Sequence, residues 1–356
     1  MNVLIVKIAA IGDVVMALSM VDAIYKKDSN AKITWLCGKA VEPLLRSLNS
    51  INELFVIDES KLLAGNHFEQ MSVLLKVWKR LFGRRFDLIV TGNPDPRYRL
   101  LSLTTIGKER RSFTRNGTRL WPVKGRYHGS EYIRLITDID GPDAEPGYLP
   151  RVTLPLREEI RSQLNLDSAP RIAIAPGGAK NVLNDSSLRR WPITSYVTLA
   201  RRFIKDGIQV ILTGAVSDEW VREKFSQLPV LDLIGNTTLV DLVGLYELCD
   251  LVITHDSSPL HLALLAGTPV VALFGPTNPR EFVPRTDLVT ILWGGEHLAC
   301  RPCYDGKTYA DCNNNVCMQS ISVDMVYKAV KELLLNKKER KYSSSSIMDG
   351  HSHKKN

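Results

Sequence analysis

Short apolar segments alternate with amphipathic segments along most of this chain, in two separate blocks. In the first block, short runs of mostly apolar residues predict strands buried on both faces. The predicted strands are Val3–Ile8, Lys32–Cys37, Glu53–Ile57, Phe86–Thr91 and, as a fifth, Arg110–Phe113. Helical periodicity predicts helices over Val14–Lys26 and His67–Phe82. This order is typical of a parallel sheet covered by helices on both faces.

The alternation begins again after residues 141–155, a proline-rich segment with the composition of a linker. The strands predicted beyond it are Arg171–Ala175, Gln209–Thr213, Val230–Ile234, Leu251–Thr254 and Val270–Phe274. Helices are predicted from Trp191-Pro192 to about Lys205, from Ser217, from Leu239 and over Val323–Leu335. We therefore predict an α/β protein with two doubly wound, Rossmann-like domains, over residues 1–150 and 151–336. A single eight-stranded barrel is the alternative, and the central break disfavours it.

The segment 253–279 carries the most specific pattern of the chain. A buried strand ends at Asp256-Ser257-Ser258, and an apolar helix follows. Side-chain oxygens of Asp and Ser cap helix starts, and a helix that begins at the carboxyl end of a parallel strand binds anions readily. We therefore predict a site for a phosphate-bearing ligand at these three residues, with His261 one turn further on and facing the same pocket.

Other polar turns follow strands in the same way. Gly12 allows a tight turn after the first strand, and Asp13 stands at the start of the next helix as a candidate functional carboxylate. The alternative is that Asp13 has only a structural role, as a negative charge that the helix dipole stabilises. Gly177-Gly178 lets backbone N–H groups approach a phosphate. Asp218 follows a later strand, where a carboxylate can accept hydrogen bonds from a ribose diol; Glu219 is its rival.

Four of the six cysteines lie close together in the sequence, as Cys300-x2-Cys303-x8-Cys312-x4-Cys317. This spacing is one that tetrahedral structural zinc uses, and free thiols or a redox pair are the alternative. No histidine or carboxylate completes an open site nearby, so a catalytic metal is not predicted.

The net charge of +8 is divided between a tail and the rest of the chain. Half of it falls in residues 337–356, a basic tail with no apolar run, which we predict to be disordered. Region 97–134, which includes Arg97 and Arg119, is also basic, and we predict either an acceptor surface for anionic groups or a solvated face. No groove-reading motif is present, so nucleic acid is not predicted as a partner.

No apolar window is long enough to span a bilayer. The apolar N-terminus is interrupted by Lys7 and Asp13, so we interpret it as a core strand and helix rather than a signal peptide. The prediction is a cytoplasmic protein with peripheral contact at the inner face of the membrane.

Two segments resemble glycosyltransferase family 9, the bacterial heptosyltransferases: VLIVKIAAIGDVVMALSMVDAI near the N-terminus and HDSSPLHLALLAGTPVVALFGPTNP in the second half. The resemblance implies a GT-B fold whose N-terminal domain binds the acceptor and whose C-terminal domain binds a nucleotide-diphosphate sugar. The residues predicted to bind the acceptor are Gly12, Arg97 and Arg119. It implies that Asp13 is the catalytic base. It also implies that Arg189, just before Trp191-Pro192, contacts the diphosphate, with Lys180 and Arg190 as rivals. Ser258 departs from the family, which more often has glycine there.

The resemblance further implies an inverting, metal-independent transfer of a heptose from ADP-heptose to a lipopolysaccharide core or related glycan, an anionic glycolipid. No cofactor is expected beyond the structural zinc. A nucleotide-sugar epimerase on the same fold, and a nucleotide-binding protein without catalysis, are the alternatives.

Overall fold

The computed structural model describes residues 1–114, 121, 123–139, 149–166, 169–180, 185–306 and 308–335. Its strands are β1 (Asn2–Val6), β2 (Lys32–Gly38), β3 (Glu53–Ile57), β4 (Arg85–Thr91), β5 (Ile106–Ser112), β6 (Arg171–Ala175), β7 (Gln209–Leu212), β8 (Leu231–Asp232), β9 (Leu251–His255), β10 (Val270–Phe274) and β11 (Val289–Trp293). Eight of the ten predicted strands match closely, and β8 covers only two of the five residues predicted for it. The fifth begins earlier than predicted, and β11 was not predicted.

The strands form two sheets, with the orders β3-β2-β1-β4-β5 and β11-β10-β9-β6-β7-β8. Every described pairing is parallel. In each sheet the strand order reverses once, between β1 and β4 and between β6 and β9, and ligands of such sheets bind at the carboxyl ends beside that reversal. The prediction of two doubly wound sheets is confirmed. The predicted domain boundary at residue 150 stays a prediction, because most of the linker, 140–148, lies outside the described residues.

Helices connect the strands. The described α-helices are Ile11–Ala17, Ser19–Lys27, Glu42–Arg46, Glu59–Leu63, His67–Leu81, Pro96–Leu101, His128–Thr137, Glu158–Arg161, Ile193–Lys205, Arg222–Phe225, Leu239–Leu248, Ser258–Leu265, Pro279–Phe282, Val316–Gln319 and 323–335. The first begins at Ile11 rather than at the predicted Val14. The segment predicted as a helix from Ser217 begins instead with a 3₁₀ turn, Val216–Val221.

The two halves meet through two helices, Ile11–Ala17 and Ser258–Leu265, whose apolar residues belong to one continuous core. Gly12 lies at this crossing, where an added Cβ would come within 2.6 Å of the His261 Cδ2 atom. Gly12 is helical and has no positive φ, so the prediction that it serves a tight turn is wrong. Its missing side chain instead allows the close approach that sets the carboxyl ends of β1 and β9 face to face.

None of the helices in the described ranges is long and apolar enough to cross a membrane. The predicted basic tail, 337–356, lies outside those ranges.

Candidate active site

A cavity of about 340 Å3 lies between the two halves, where the helices that follow β1 and β9 begin. Its walls come from both halves of the chain. The residues that line it are Ala10, Gly12, Asp13, Met16, Ala179, Lys180, Asp185, Ser186, Arg189, Asp256, Ser257, Ser258, His261, Thr277, Phe282, Tyr304, Thr308 and Tyr309. The structure therefore brings together eight of the predicted site residues: Gly12, Asp13, Lys180, Arg189, Asp256, Ser257, Ser258 and His261.

Asp13 lies in the first turn of the helix Ile11–Ala17, and its side chain is about one third exposed to the cavity. Its Oδ2 atom accepts a hydrogen bond from Lys7 Nζ at 3.0 Å. Lys7 is buried within the sheet layer and also donates to the Ala9 carbonyl. Burial raises the pKa of Asp13, but Lys7, helped by His128 and His261, holds this pKa below its usual value. Asp13 is therefore an ionised carboxylate at neutral pH, the form that a base requires.

We expect Lys7→Met to move the acid limb of the pH–rate profile to higher pH. Removing the ammonium group leaves burial as the main influence on Asp13, and burial raises its pKa. The carboxylate is then protonated at a higher pH, and the reaction loses its base sooner as the pH falls. The measurement is kcat/KM against pH for both proteins, with melting temperatures as the folding control. An unchanged acid limb would show that Lys7 does not set the state of the base.

The helix Ser258–Leu265 begins at the opposite wall, with Pro259 in its first turn. The predicted side-chain cap is wrong: Ser257 is the N-cap residue but makes no capping hydrogen bond. Its hydroxyl instead interacts with Thr254 Oγ1 at 3.1 Å and donates to the His255 carbonyl at 3.2 Å. Since no side chain caps them, the first N–H groups of this helix can bind an anion in the cavity.

Arg189 places a cation beside this helix start. Its Nη1 atom lies 3.4 Å from Asp256 Oδ2, and both side chains are largely buried. Its Nε atom has no hydrogen-bond partner in the described part of the chain. Of its two rivals, Lys180 also lines the cavity. Arg190 turns away and donates to the Gly178 carbonyl through Nε at 3.0 Å.

The Gly177-Gly178 turn lies behind the cavity wall instead of lining it. Gly178 has a φ of +78°, which favours glycine. Its N–H donates to Asp218 Oδ1 at 2.8 Å, while Asp218 Oδ2 accepts from the Ala215 N–H at 2.9 Å. Asp218 thus occupies the Gly178 N–H in this structure, and donor binding by Gly177 and Gly178 stays a prediction. Asp218 is buried and supports the turn, and its contact with a ribose stays a prediction.

Three lining residues that the sequence analysis missed come from the cysteine-containing loop. Tyr304, Thr308 and Tyr309 line the cavity, and the two tyrosine rings pack with centroids 4.7 Å apart. The loop is fixed beside the second sheet because the N–H groups of Cys303 and Tyr304 both donate to the carbonyl of Pro276, which follows β10. The sequence signal for this wall is an aromatic residue, Tyr304, directly after Cys303.

The four clustered cysteines are free thiols in the structure, with Cys300 and Cys312 exposed and Cys303 and Cys317 half-buried. Over the described ranges, no three side chains of His, Cys, Asp or Glu are grouped so that they could hold a metal ion. The residues as placed therefore do not form a zinc site, and structural zinc stays a prediction.

Arg97, one of the two arginines predicted to bind the acceptor, does not line the cavity. Arg97 is paired with Asp95 at 2.7 Å, and its Nη1 atom donates to the Leu63 carbonyl at 2.9 Å. Arg119 lies outside the described residues. Arg111, another arginine of this basic region, also bonds within the fold: its Nη1 atom donates to the Ile136 carbonyl at 2.6 Å.

Comparisons with known proteins identify the family of this chain. The sequence model of "Glycosyltransferase family 9 (heptosyltransferase)" matches residues 131–313, half of the chain. Lipooligosaccharide heptosyltransferase 2 of Haemophilus influenzae is 35% identical over 134 residues, which are 36% of this chain and only 37% of that protein. Lipopolysaccharide core heptosyltransferase OpsX of the same organism is 26% identical over 306 residues, covering 81% of this chain and 83% of that protein.

A solved structure shows the fold. The ADP-heptose lipopolysaccharide heptosyltransferase II of E. coli superimposes with a TM-score of 0.73 at 20% identity, covering 95% of this chain and all of that one. The two parallel sheets are thus those of the GT-B glycosyltransferases. This chain belongs to glycosyltransferase family 9, the heptosyltransferase family, and is a glycosyltransferase.

Proposed function

We propose that this protein transfers a heptose, with inversion, from ADP-heptose to the core of a lipopolysaccharide, an anionic glycolipid. The observation that carries this proposal is the arrangement of one cavity. An ionised carboxylate, Asp13, lies on one wall, and a cation and an uncapped helix start lie on the other. A base and an anion site that face each other across a small space suit a displacement reaction with a charged leaving group.

In the proposed reaction, Asp13 accepts the proton of an acceptor hydroxyl. The oxygen of that hydroxyl attacks the anomeric carbon and forms the new glycosidic bond. The bond from that carbon to the diphosphate breaks on the opposite side, so its configuration inverts and ADP leaves. Lys7 keeps the carboxylate ionised before the reaction begins.

The leaving diphosphate gains charge as its bond breaks. Arg189 and the N–H groups at the start of the helix Ser258–Leu265 would stabilise that charge, a role that a divalent ion fills in other enzymes. Asp256 holds Arg189 on this wall before the donor arrives. Lys180, more exposed on the same wall, would add a second positive charge.

The direct test is a transfer assay with purified full-length protein, ADP-heptose and a lipopolysaccharide core acceptor that lacks the heptose. We expect ADP release only when the acceptor is present, and a product whose anomeric configuration, measured by NMR, is opposite to that of the donor. Conversion of the donor without acceptor would indicate an epimerase. Binding of ADP without any transfer to core acceptors would indicate a nucleotide-binding protein.

We expect transfer to continue in the presence of EDTA. Arg189 and the helix start supply the positive charge at the diphosphate, so removal of divalent ions should leave the initial rate unchanged. The measurement is the initial rate before and after chelation, with magnesium and manganese added back. A prompt loss that either ion restores would contradict metal independence. A slow loss together with released zinc would instead support a structural site at the four cysteines.

The relatives act on lipopolysaccharide or lipooligosaccharide according to their names, and such acceptors are anchored in a membrane by their lipid. We therefore also propose a peripheral contact of this protein with the inner face of the cytoplasmic membrane. Its net charge of +8 favours approach to an anionic surface.

A further inference from the structure

The helix His67–Leu81 has apolar side chains on two faces. One face is buried against the sheet through Val73, Leu74, Val77 and Leu81. On the outer face, Phe68 is 87% exposed, Met71 48% and Leu75 55%. Their spacing of three and four residues places them in one row along the helix. A helix on the surface of a soluble domain needs only one apolar face, so the fold does not explain the outer row.

The exposed apolar surface continues beyond this helix. Phe82 follows the last turn and is 78% exposed, and Leu100 and Leu103 are 41% and 60% exposed. The segment with these leucines lies against the end of the helix, because Trp78 Nε1 donates to the Leu100 carbonyl at 2.7 Å. We call this surface the apolar face and define it as Phe68, Met71, Leu75, Phe82, Leu100 and Leu103.

Basic side chains flank the part of the apolar face that lies on the helix His67–Leu81. Exposed residues Lys61, Lys76, Lys79 and Arg80 lie on or beside the same helix, and all but Lys79 line an adjoining cavity of about 550 Å3. Across the described ranges, none of the three lysines forms an ion pair. The nearby carboxylates are already used: Asp58 pairs with Lys39, and Glu69 accepts from the Asn66 N–H in a capping box.

We propose that the apolar face docks on the surface of a bilayer that contains anionic phospholipid. Exposed Phe and Leu side chains would enter the boundary between headgroups and acyl chains, and the flanking lysines would lie among the phosphates. The charges favour lipid over a protein partner, because lysine is depleted in protein–protein interfaces. Apolar patches of this kind on soluble proteins mark interaction sites.

The position of this face suits the reaction proposed above, on which this step rests. Lys39 and Lys61, which line the adjoining cavity, come after the carboxyl ends of β2 and β3. Asp13 comes after the carboxyl end of β1, at the same edge of this parallel sheet. Phe68 lines the same cavity and begins the helix at this edge, whereas Phe82, Leu100 and Leu103 come just before β4 and β5 and lie toward the amino-terminal edge. A bilayer would therefore come nearest to Asp13 where it contacts the Phe68 end of the apolar face.

The test is vesicle flotation with full-length protein and neither donor nor acceptor, so its result does not depend on the proposed reaction. Vesicles contain either phosphatidylcholine alone or phosphatidylcholine with phosphatidylglycerol. The variants are Phe68→Asp/Leu75→Asp and Lys76→Glu/Lys79→Glu. Met325→Asp is the matched control, since Met325 is 46% exposed on the helix 323–335 of the other half. Melting temperatures confirm that each variant folds.

We expect wild-type protein and Met325→Asp to float with anionic vesicles, and both double variants to bind them at least about tenfold more weakly. We expect transfer to an acylated acceptor in vesicles to fall with flotation, while transfer to a deacylated, soluble acceptor stays unchanged. Equal flotation of all four proteins would overturn the proposal. The proposal would also be overturned if sedimentation showed that wild-type protein is a dimer, and if Phe68→Asp/Leu75→Asp dissociated this dimer while flotation stayed unchanged.

Discussion

Asp13→Asn is expected to lower the rate of transfer by about 100- to 10,000-fold, the usual loss when a general base is removed. The amide has nearly the same shape as the carboxylate but cannot accept the proton of the acceptor hydroxyl. Affinity for ADP should change little, because Arg189 and the start of the helix Ser258–Leu265 lie on the opposite wall. The measurements are kcat for transfer and calorimetric affinity for ADP.

Asp22→Asn is the control for this substitution. Asp22 lies in the next helix, Ser19–Lys27, and does not line the cavity. Its variant should keep wild-type rates, which would show that an Asp-to-Asn change in this part of the fold is not harmful in itself. If Asp13→Asn kept more than about a tenth of the wild-type rate, Asp13 would not be the base.

The sheets could be predicted because their strands are buried on both faces. Arg171–Ala175 and Val270–Phe274 are almost wholly buried and were predicted with the bounds that the structure has. Strand β11, Val289–Trp293, was missed because it lies at the edge of its sheet and is only partly buried, so its pattern is weak. The start of the helix at Ile11 has no side-chain cap, and no local signal marked it.

The site could be predicted where polar residues stand between a buried strand and the helix after it: Asp256 directly follows β9, and Asp13 lies in the first turn of the helix after β1. Contacts between distant parts of the chain could not be predicted, because spacing along the sequence carries no information about them. Gly12 against His261 is one such contact. Lys7 does carry a sequence signal, since a lysine within an otherwise buried strand segment needs a partner. That partner is Asp13.

Arg189 and Arg190 are neighbours in the sequence with different surroundings, and together they allow a controlled test of the diphosphate site. Arg189 lines the cavity and leaves its Nε atom without a partner among the described residues. Arg190 donates hydrogen bonds through Nη2 to the Gly178 carbonyl at 2.8 Å and to Asp185 Oδ1 at 2.7 Å. A substitution at Arg189 should therefore change ligand binding, whereas one at Arg190 should mainly change the stability of the glycine turn.

Arg189→Ala should weaken ADP binding by about 1.5–3 kcal/mol, the scale of a hydrogen bond to a charged group, which is roughly 10- to 150-fold in Kd. Calorimetric titration with ADP measures this, and adenosine serves as a ligand without phosphates whose affinity should hardly change. Arg190→Ala should lower the melting temperature, and its affinity for ADP should be closer to that of wild type than the affinity of Arg189→Ala is. Unchanged ADP affinity in Arg189→Ala, with a loss in Lys180→Ala, would assign the diphosphate contact to Lys180, which also lines the cavity.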